Sequence, residues 1–358
     1  MDALLVTTGA AAVLVALADV FLTVLYARIG VSLITSRMYR LTWSAFRTVT
    51  PLAGKHKDLF LSFVGPMMMA QTVALWFLLL LFGFALICWP AMGTEVQASS
   101  GRTPTDFWAS VYYSGYSLTT LGTGDLVPRT TAYRVLMIVQ AGIGFSVLTL
   151  TLTYFMSVYA ALVRRNTLAQ MLHHLSAGRG DAATLVTGLC SGDASGARIQ
   201  LIEIGARVLD LLESHHSYPV LHYFRMRDPR YAMAKVAYLT LETATLIRTV
   251  LGQPFEGLKR SAAVNLLWGS GMDLLQQTKG SLLKNWEHRD DCQPDDNERF
   301  EWSATTLGEA GLGSCDGPQA RRAYIAARRE WVGLARSFAE HMSYDWTAIE
   351  PSSAPRHH

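Results

Sequence analysis

Three long apolar stretches dominate the first half of the chain, at residues 3–27, 67–90 and 131–163. As a helix, each is long enough to cross roughly 30 Å of hydrocarbon, because a helix rises about 1.5 Å per residue. Charged residues are scarce before about residue 164 and frequent after it. The pattern predicts a membrane protein of three helices in the first half, followed by a polar domain.

The first stretch is predicted to remain as a membrane helix. Its start, Met1-Asp2, is acidic, whereas a signal peptide begins with basic residues, and no small-residue cleavage site follows its core convincingly. Asp19 lies inside it, and an ionisable group at such depth is a candidate functional residue. Two interpretations remain open: Asp19 has a structural partner, or it takes part in gating or sensing.

The distribution of basic residues predicts the orientation. Six follow the first stretch, whereas residues 91–106 contain one basic residue against two acidic ones; the six are Arg28, Arg37, Arg40, Arg47, Lys55 and Lys57. Because cytoplasmic loops carry the excess of Lys and Arg, residues 28–66 are predicted to be cytoplasmic and the amino terminus outside. Arg164-Arg165 after the third stretch places residues 164–358 in the cytoplasm as well. The prediction is a multi-pass protein of the cell membrane.

Residues 32–63 alternate apolar and basic positions at helical spacing until Pro51 and Gly54. The pattern predicts an amphipathic helix, which lies either in the inner membrane interface or against the polar domain.

A short polar motif, Ser117 to Asp125, separates the second and third apolar stretches. Gly122 and Gly124 are two residues apart and adopt positive φ without steric cost. Such alternation lets successive carbonyls point one way, and a ring of carbonyls replaces the hydration shell of an alkali cation. An aromatic, helix-compatible run, 107–116, precedes the motif, and Thr105 or Pro104 is predicted to start that helix.

These residues carry a resemblance. Thr-Leu-Gly-Thr-Gly-Asp at 120–125 resembles the selectivity filter of the potassium-channel family, Thr-Val-Gly-Tyr-Gly-Asp. Residues 108–119 resemble the family's pore helix, and Asp125-Leu126-x-Pro128-x-Thr130 resembles its link to the inner helix. The resemblance covers about 67–163, under a third of the chain.

The resemblance implies a fold class and a set of site residues. The fold is an all-α membrane protein, a homotetrameric pore-loop channel with a re-entrant pore helix and a filter, plus a helical cytoplasmic domain. Potassium ions bind at Thr120, Leu121, Gly122 and Thr123, and Gly124 completes the filter; Tyr113 and Asp125 support it. Gly144 is the hinge of the inner helix, although Gly142 and Gly144 also suit close packing. The residues predicted to line the cavity are Phe145, Leu148, Thr149 and Leu152.

Two departures from the family pattern leave selectivity open. Leu121 stands for the usual Val, a mild change because the carbonyl coordinates the ion. Thr123 stands for the family's Tyr or Phe, whose ring holds the filter at a fixed diameter. The first alternative is therefore a weakly selective monovalent cation channel. The second is a membrane-bound sensor or enzyme with a vestigial pore; the main interpretation is not an enzyme.

The remaining residues predict no further chemistry of high specificity. A net charge of +3 does not indicate nucleic acid, and the four cysteines lack CxxC spacing. Helices are predicted at 195–216, 230–252, 260–286 and 317–343, with no GxGxxG after a strand, so no organic cofactor is expected. The domains are then 1–66, 67–163 and 164–358. The histidines His173, His174, His215, His216 and His222 suggest gating by protons or a metal, although surface or structural roles are common.

Overall fold

The computed structural model of the chain describes residues 1–26, 32–253, 255–283 and 296–351. Three of its helices are long and apolar enough to cross a membrane, namely Asp2–Leu25, Val64–Ala91 and Thr131–Leu175. The chain divides into two compact units. The first unit contains residues 1–45 and 64–159, and the second contains residues 46–63 and 160–358.

The membrane helices of the first unit correspond to the predicted apolar stretches, with ends that differ by a few residues. They are α1 (Asp2–Val20, continued by a π turn at Phe21–Leu25), α4 (Val64–Cys88) and α6 (Thr131–Leu175). The unit also contains most of α2 (Thr35–Val49) and the short helix α5 (Phe107–Leu118). Residue 160 onward in α6 belongs to the second unit. The predicted third span, 131–163, is therefore only part of a continuous 45-residue helix.

Helices α1 and α4 approach each other closely at two glycines. A Cβ atom on Gly9 would lie 2.4 Å from the carbonyl oxygen of Gly83. Small residues let membrane helices pack backbone to backbone, which compensates for the weak hydrophobic drive inside a bilayer. Val13, Leu80 and Phe84 form the adjoining core. These contacts pack α1 on α4 within the first unit.

Asp19 has structural partners, one of the two alternatives predicted from the sequence. Its buried carboxyl accepts hydrogen bonds from the backbone N–H of Ile34 at 2.8 Å and of Thr35 at 3.4 Å, and from the Thr35 hydroxyl. The two N–H groups bond to Oδ1, and the indole N–H of Trp76 on α4 donates at 2.9 Å to Oδ2, which also accepts from the Thr35 hydroxyl. Asp19 therefore satisfies free N–H groups at the start of α2 and links α1, α2 and α4.

A short two-stranded antiparallel sheet flanks α5 and the motif, and it departs from the predicted all-α fold. Strand β1 (Val96–Ala98) pairs with β2 (Leu126–Pro128) in the register Val96 to Pro128. Beyond the strands, the N–H of Arg129 donates to the carbonyl of Glu95 at 2.7 Å. The sheet links the segment before α5 to the segment after the motif.

The predicted amphipathic segment is divided between the two units. In the first unit, the hydroxyls of Tyr39 and Thr72 are 2.9 Å apart, which holds α2 against α4. After α2 come a 3₁₀ turn (Thr50–His56), in which Gly54 has φ +49°, and α3 (Lys57–Ser62). These belong to the second unit, where Asp58 pairs with Arg225 at 2.6 Å. For residues 46–63 the structure therefore supports packing on the polar domain.

The second unit is helical. Its helices are α7 (Ala182–Leu189), α8 (Ala194–Ser217), α9 (Met233–Thr249), α10 (Glu256–Lys259), α11 (Ala262–Leu282), α12 (Asp296–Glu309), α13 (Pro318–Arg329), α14 (Val332–His341) and α15 (Trp346–Ile349). Fifteen of the 17 residues of α9 are buried, so α9 is the central helix. The predicted helix 317–343 is divided at residues 330 and 331 into α13 and α14, and the predicted end of 260–286 lies outside the described residues.

A buried ionic network fixes α9 to the carboxy-terminal helices. The Arg328 guanidinium pairs with Glu242 at 2.6 Å, with Asp296 at 2.8 Å and with Glu350. The carboxylates hold the pKa of Arg328 well above its ordinary value although burial opposes this. Since all four groups are buried, loss of the arginine would leave Glu242 and Asp296 without an ion pair, whereas Glu350 would keep Arg299 at 3.0 Å.

Candidate functional site

Helix α5 begins at an aspartate and ends at the filter motif. Asp106 is the N-cap, and its carboxylate accepts a hydrogen bond from the N–H of Ala109 at 3.1 Å. The predicted start at Thr105 or Pro104 was therefore wrong by one or two residues. Ser110 donates to the carbonyl of Ala85 at 2.7 Å, which fixes α5 against α4. The carbonyl end of α5, with its partial negative charge, points into the motif.

The motif has a backbone in which every second residue is left-handed. The φ angles are +60° at Thr120, +61° at Gly122 and +75° at Gly124, whereas Leu121 and Thr123 have negative φ. The N–H groups of Leu121 and Gly122 donate to the Tyr116 carbonyl at 2.9 and 3.4 Å. Glycine accepts positive φ freely, but threonine does so at a cost, so Thr120 is a strained position. The alternation matches the one predicted for the two glycines.

The support behind the motif involves a different tyrosine from the predicted one. The Tyr112 hydroxyl donates to the Thr123 hydroxyl at 3.2 Å, and Thr123 donates to the Asp125 carboxylate at 2.7 Å. Tyr113 is buried, and its hydroxyl has no hydrogen-bond partner among the described residues. The structure therefore does not bring Tyr113 to Asp125. Only the register of the family resemblance favoured residue 113, and no signal in the sequence distinguished it from residue 112.

Tyr113 belongs instead to the core behind the motif. Its ring lies edge-on to that of Tyr116, with 5.4 Å between the centroids. Cys88, Ala109 and Leu126 also belong to this cluster, and the Tyr116 hydroxyl donates to the Leu126 carbonyl. Helix α5 is thus anchored to β2 directly after the motif.

Gly144 is the point at which α6 meets the end of α5. A Cβ atom on Gly144 would lie 1.8 Å from the Leu118 carbonyl oxygen and 2.8 Å from its carbon. A Cβ atom on Gly142 would meet nothing within 4 Å. Of the two predicted roles for these glycines, the geometry supports close packing at Gly144, and α6 continues as one helix through both positions.

The predicted cavity residues form an exposed stripe on α6. Phe145 is 65% exposed, and Leu148 and Leu152 are 58% and 57% exposed. Thr149 lies on the same stripe, and its hydroxyl donates to the carbonyl of Phe145 at 2.9 Å. In the filter motif, Leu121 is 71% exposed. A single chain therefore leaves apolar side chains uncovered both at the motif and along α6.

The histidine clusters do not form a metal site in the described part of the chain. No group of three or more His, Cys, Asp or Glu side chains with metal-binding geometry occurs among the described residues. The rings of His173 and His174 are 5.6 Å apart, and those of His215 and His222 are 5.0 Å apart. Cys88, Cys190 and Cys315 are free thiols, and Cys292 lies outside the described residues.

Comparison with known proteins supports a channel. Residues 72–161, which contain α5, the motif and most of the membrane part of α6, match the family described as ion channel. The chain is also 27% identical over 207 residues to the uncharacterized membrane protein YdjJ of Bacillus subtilis (strain 168). That alignment covers 58% of this chain and 58% of the relative, so the chain spans under two thirds of the relative's length. No solved structure matches the chain.

The class that follows is a helical membrane protein whose residues 72–161 match the family described as ion channel. The matched segment ends within α6, so the second unit lies almost wholly beyond it.

Proposed function

We propose that the protein is a potassium-selective channel that conducts K⁺ passively. The observation that carries the proposal is the alternating backbone of residues 120–124, placed at the carbonyl end of a capped pore helix inside a segment that matches ion channels. Ions would pass between adjacent sites by mutual repulsion. The ligands would be the Thr120 hydroxyl and the carbonyls of Thr120, Leu121, Gly122 and Thr123.

The single motif in each chain calls for several copies, and the resemblance to the potassium-channel family implies a homotetramer. One chain supplies one row of carbonyls, and a ring that replaces a hydration shell needs several rows around an axis. The exposed faces at Leu121, Phe145, Leu148 and Leu152 support such an assembly, because uncovered apolar side chains beside a watery path are expected to meet other copies or the cavity. The bilayer covers the outer faces of α1 and α4.

The second unit is proposed to be cytoplasmic and to influence opening. The excess of basic residues after α1 and at the end of the third apolar stretch supports an amino terminus outside and residues 164–358 inside. Helix α6 contributes residues to both units, so a signal received by the second unit has a continuous helix through which to act on the pore. The gating ligand is not identified by any described residue cluster.

A weakly selective cation channel is the second candidate, and Thr123 is the observation that favours it. A threonine lacks the aromatic ring that holds the filter in the family. The hydrogen bonds from Tyr112 to Thr123 and from Thr123 to Asp125 offer a different support and favour potassium selectivity.

The experiment is ion flux through the purified protein in liposomes, with sodium as competitor. Gly122→Ala is the test variant, because Gly122 has φ +61° and open space around it, so alanine perturbs the backbone alone. Gly101→Ala is the matched control: Gly101 has φ +77°, is equally open and lies outside the filter. Flux that prefers potassium and is lost only in Gly122→Ala supports the proposal. Equal sodium flux supports the second candidate, and unchanged flux in Gly122→Ala contradicts both.

A further inference from the structure

A small buried cavity lies within the second unit, where α6 meets α9 and α14. Its polar lining consists of Arg165, His222, Arg225, Tyr231 and Tyr344. The cavity volume open to the centre of a water-sized group is about 10 Å³, close to the minimum for one such group. The cavity therefore suits a ligand the size of a water molecule or a single ion.

Arg165 carries the cavity's uncompensated charge. Its side chain is 3% exposed, and one nitrogen, Nη1, donates to the Phe224 carbonyl at 3.0 Å. The other two nitrogens, Nε and Nη2, have no partner in the part of the chain that the structure describes. A buried guanidinium with unmet donors and no counter-ion is strongly unfavourable.

The second arginine of the cavity, Arg225, has both a counter-ion and hydrogen-bond acceptors. Arg225 pairs with Asp58 at 2.6 Å and donates to the carbonyls of Met342 at 2.9 Å and Ser343 at 3.1 Å. No acidic side chain of the described residues forms an ion pair with Arg165. The neighbouring exposed Arg164, by contrast, pairs with Asp210 at 3.1 Å.

A histidine adds an unmet donor to the same cavity. His222 is 4% exposed, and neither of its ring nitrogens has a partner among the described residues. Burial lowers its pKa to about 4, and burial also holds the pKa of the adjacent His215 well below its ordinary value. Both rings are therefore neutral near pH 7. A neutral imidazole still carries one N–H donor.

We infer that this cavity binds one small monovalent inorganic anion, of the size of chloride, held by Arg165 and His222. An anion there would accept hydrogen bonds from Nε and Nη2 of Arg165 and from the N–H of His222, and it would neutralise the buried charge of the guanidinium. Phosphate and carboxylate ligands are too large for a cavity that holds one water-sized group. The inference concerns the second unit and does not rest on ion conduction by the filter.

The test is thermal unfolding of the full-length protein in potassium chloride against potassium gluconate at constant ionic strength. Chloride is expected to raise the Tm of the wild type by about 2–4 °C near ten times its Kd. Arg165→Gln is expected to abolish this dependence. The matched control Arg164→Gln should retain it, because Arg164 is exposed and lies outside the cavity.

A second measurement keeps the inference testable if Arg165→Gln does not fold. Bromide replaces chloride in crystals of the wild type, and an anomalous peak within hydrogen-bond distance of Arg165 and His222 is expected. Three results would overturn the inference: a Tm independent of chloride, an equal chloride dependence in Arg165→Gln, or a cavity that holds water alone in bromide.

Discussion

Replacement of Gly144 by alanine tests whether the filter depends on close packing between α6 and α5. The added Cβ atom would lie 1.8 Å from the carbonyl oxygen of Leu118. Leu118 is the last residue of α5 and precedes Thr120 by two positions. Ordinary contacts between such atoms need about 3.5 Å, so the two helices must separate by roughly 1.5 Å at this point. The two atoms nearest to the added Cβ, the carbonyl oxygen and carbon of Leu118, belong to the backbone, so rotation of a flexible side chain cannot relieve the clash.

The cost follows from that displacement. Overpacking of this kind typically costs about 1–3 kcal/mol. The displacement acts directly on the residue that leads into the filter, and a misplacement of about 1 Å at a functional centre can reduce its activity about 100-fold. We therefore expect Gly144→Ala to reduce either the potassium flux or the preference for potassium over sodium by a factor of about ten or more.

Gly142→Ala is the matched control, because a Cβ atom there meets nothing within 4 Å on the same helix. Flux and reversal potential are measured for both variants in liposomes or planar bilayers, together with the size of the assembled protein. A hinge at Gly144 would change open probability and leave ion preference intact. Wild-type conduction in Gly144→Ala, or equal losses in both variants, would refute the packing role.

Three further predictions concern stability, measured by unfolding of the purified protein. Asp19→Asn should lower the free energy of unfolding by about 1.5–3 kcal/mol, since an amide cannot accept all the hydrogen bonds that this carboxyl accepts; wild-type stability would contradict this. Arg328→Met should cost about 3–5 kcal/mol because it leaves buried carboxylates unpaired, whereas the exposed Arg322→Met should be neutral, and equal effects would refute the network's role. In chloride-free buffer, the contribution of His222 to stability should be complete above about pH 6.5 and should fall by up to about 3 kcal/mol towards pH 4, because its depressed pKa, about 4, lets the unfolded chain bind the proton first. His222→Phe should remove this share of the acid-dependent loss, and an unchanged slope between pH 6.5 and pH 4 would contradict it.

The membrane helices could be predicted because a run of apolar residues reports directly on burial in hydrocarbon. The alternating backbone at Gly122 and Gly124 was also predictable, since positive φ selects glycine. The end of α6 was not, because hydropathy falls at residue 164 while helix formation continues until the left-handed Ala177 and Gly178. Composition alone does not separate a membrane helix from its polar extension.

The remaining differences come from contacts between residues distant in sequence. Whether Tyr112 or Tyr113 reaches Thr123 depends on the rotation of α5, which its packing on α4 sets. The cavity at Arg165 and His222 joins residues more than 50 positions apart, so no local pattern predicts it. The histidines nevertheless gave a partial signal, since His222 belongs to a cluster that the sequence singled out.

The central claim is that residues 120–124 select potassium, and the reversal potential in mixed potassium and sodium tests it most directly. The measurement uses the reconstituted wild type beside Gly122→Ala and the control Gly101→Ala. A reversal potential that follows the potassium gradient in the wild type and in Gly101→Ala, with no such current in Gly122→Ala, is the result we predict. A reversal potential that does not change when sodium replaces potassium would contradict the claim and would indicate a non-selective cation pore.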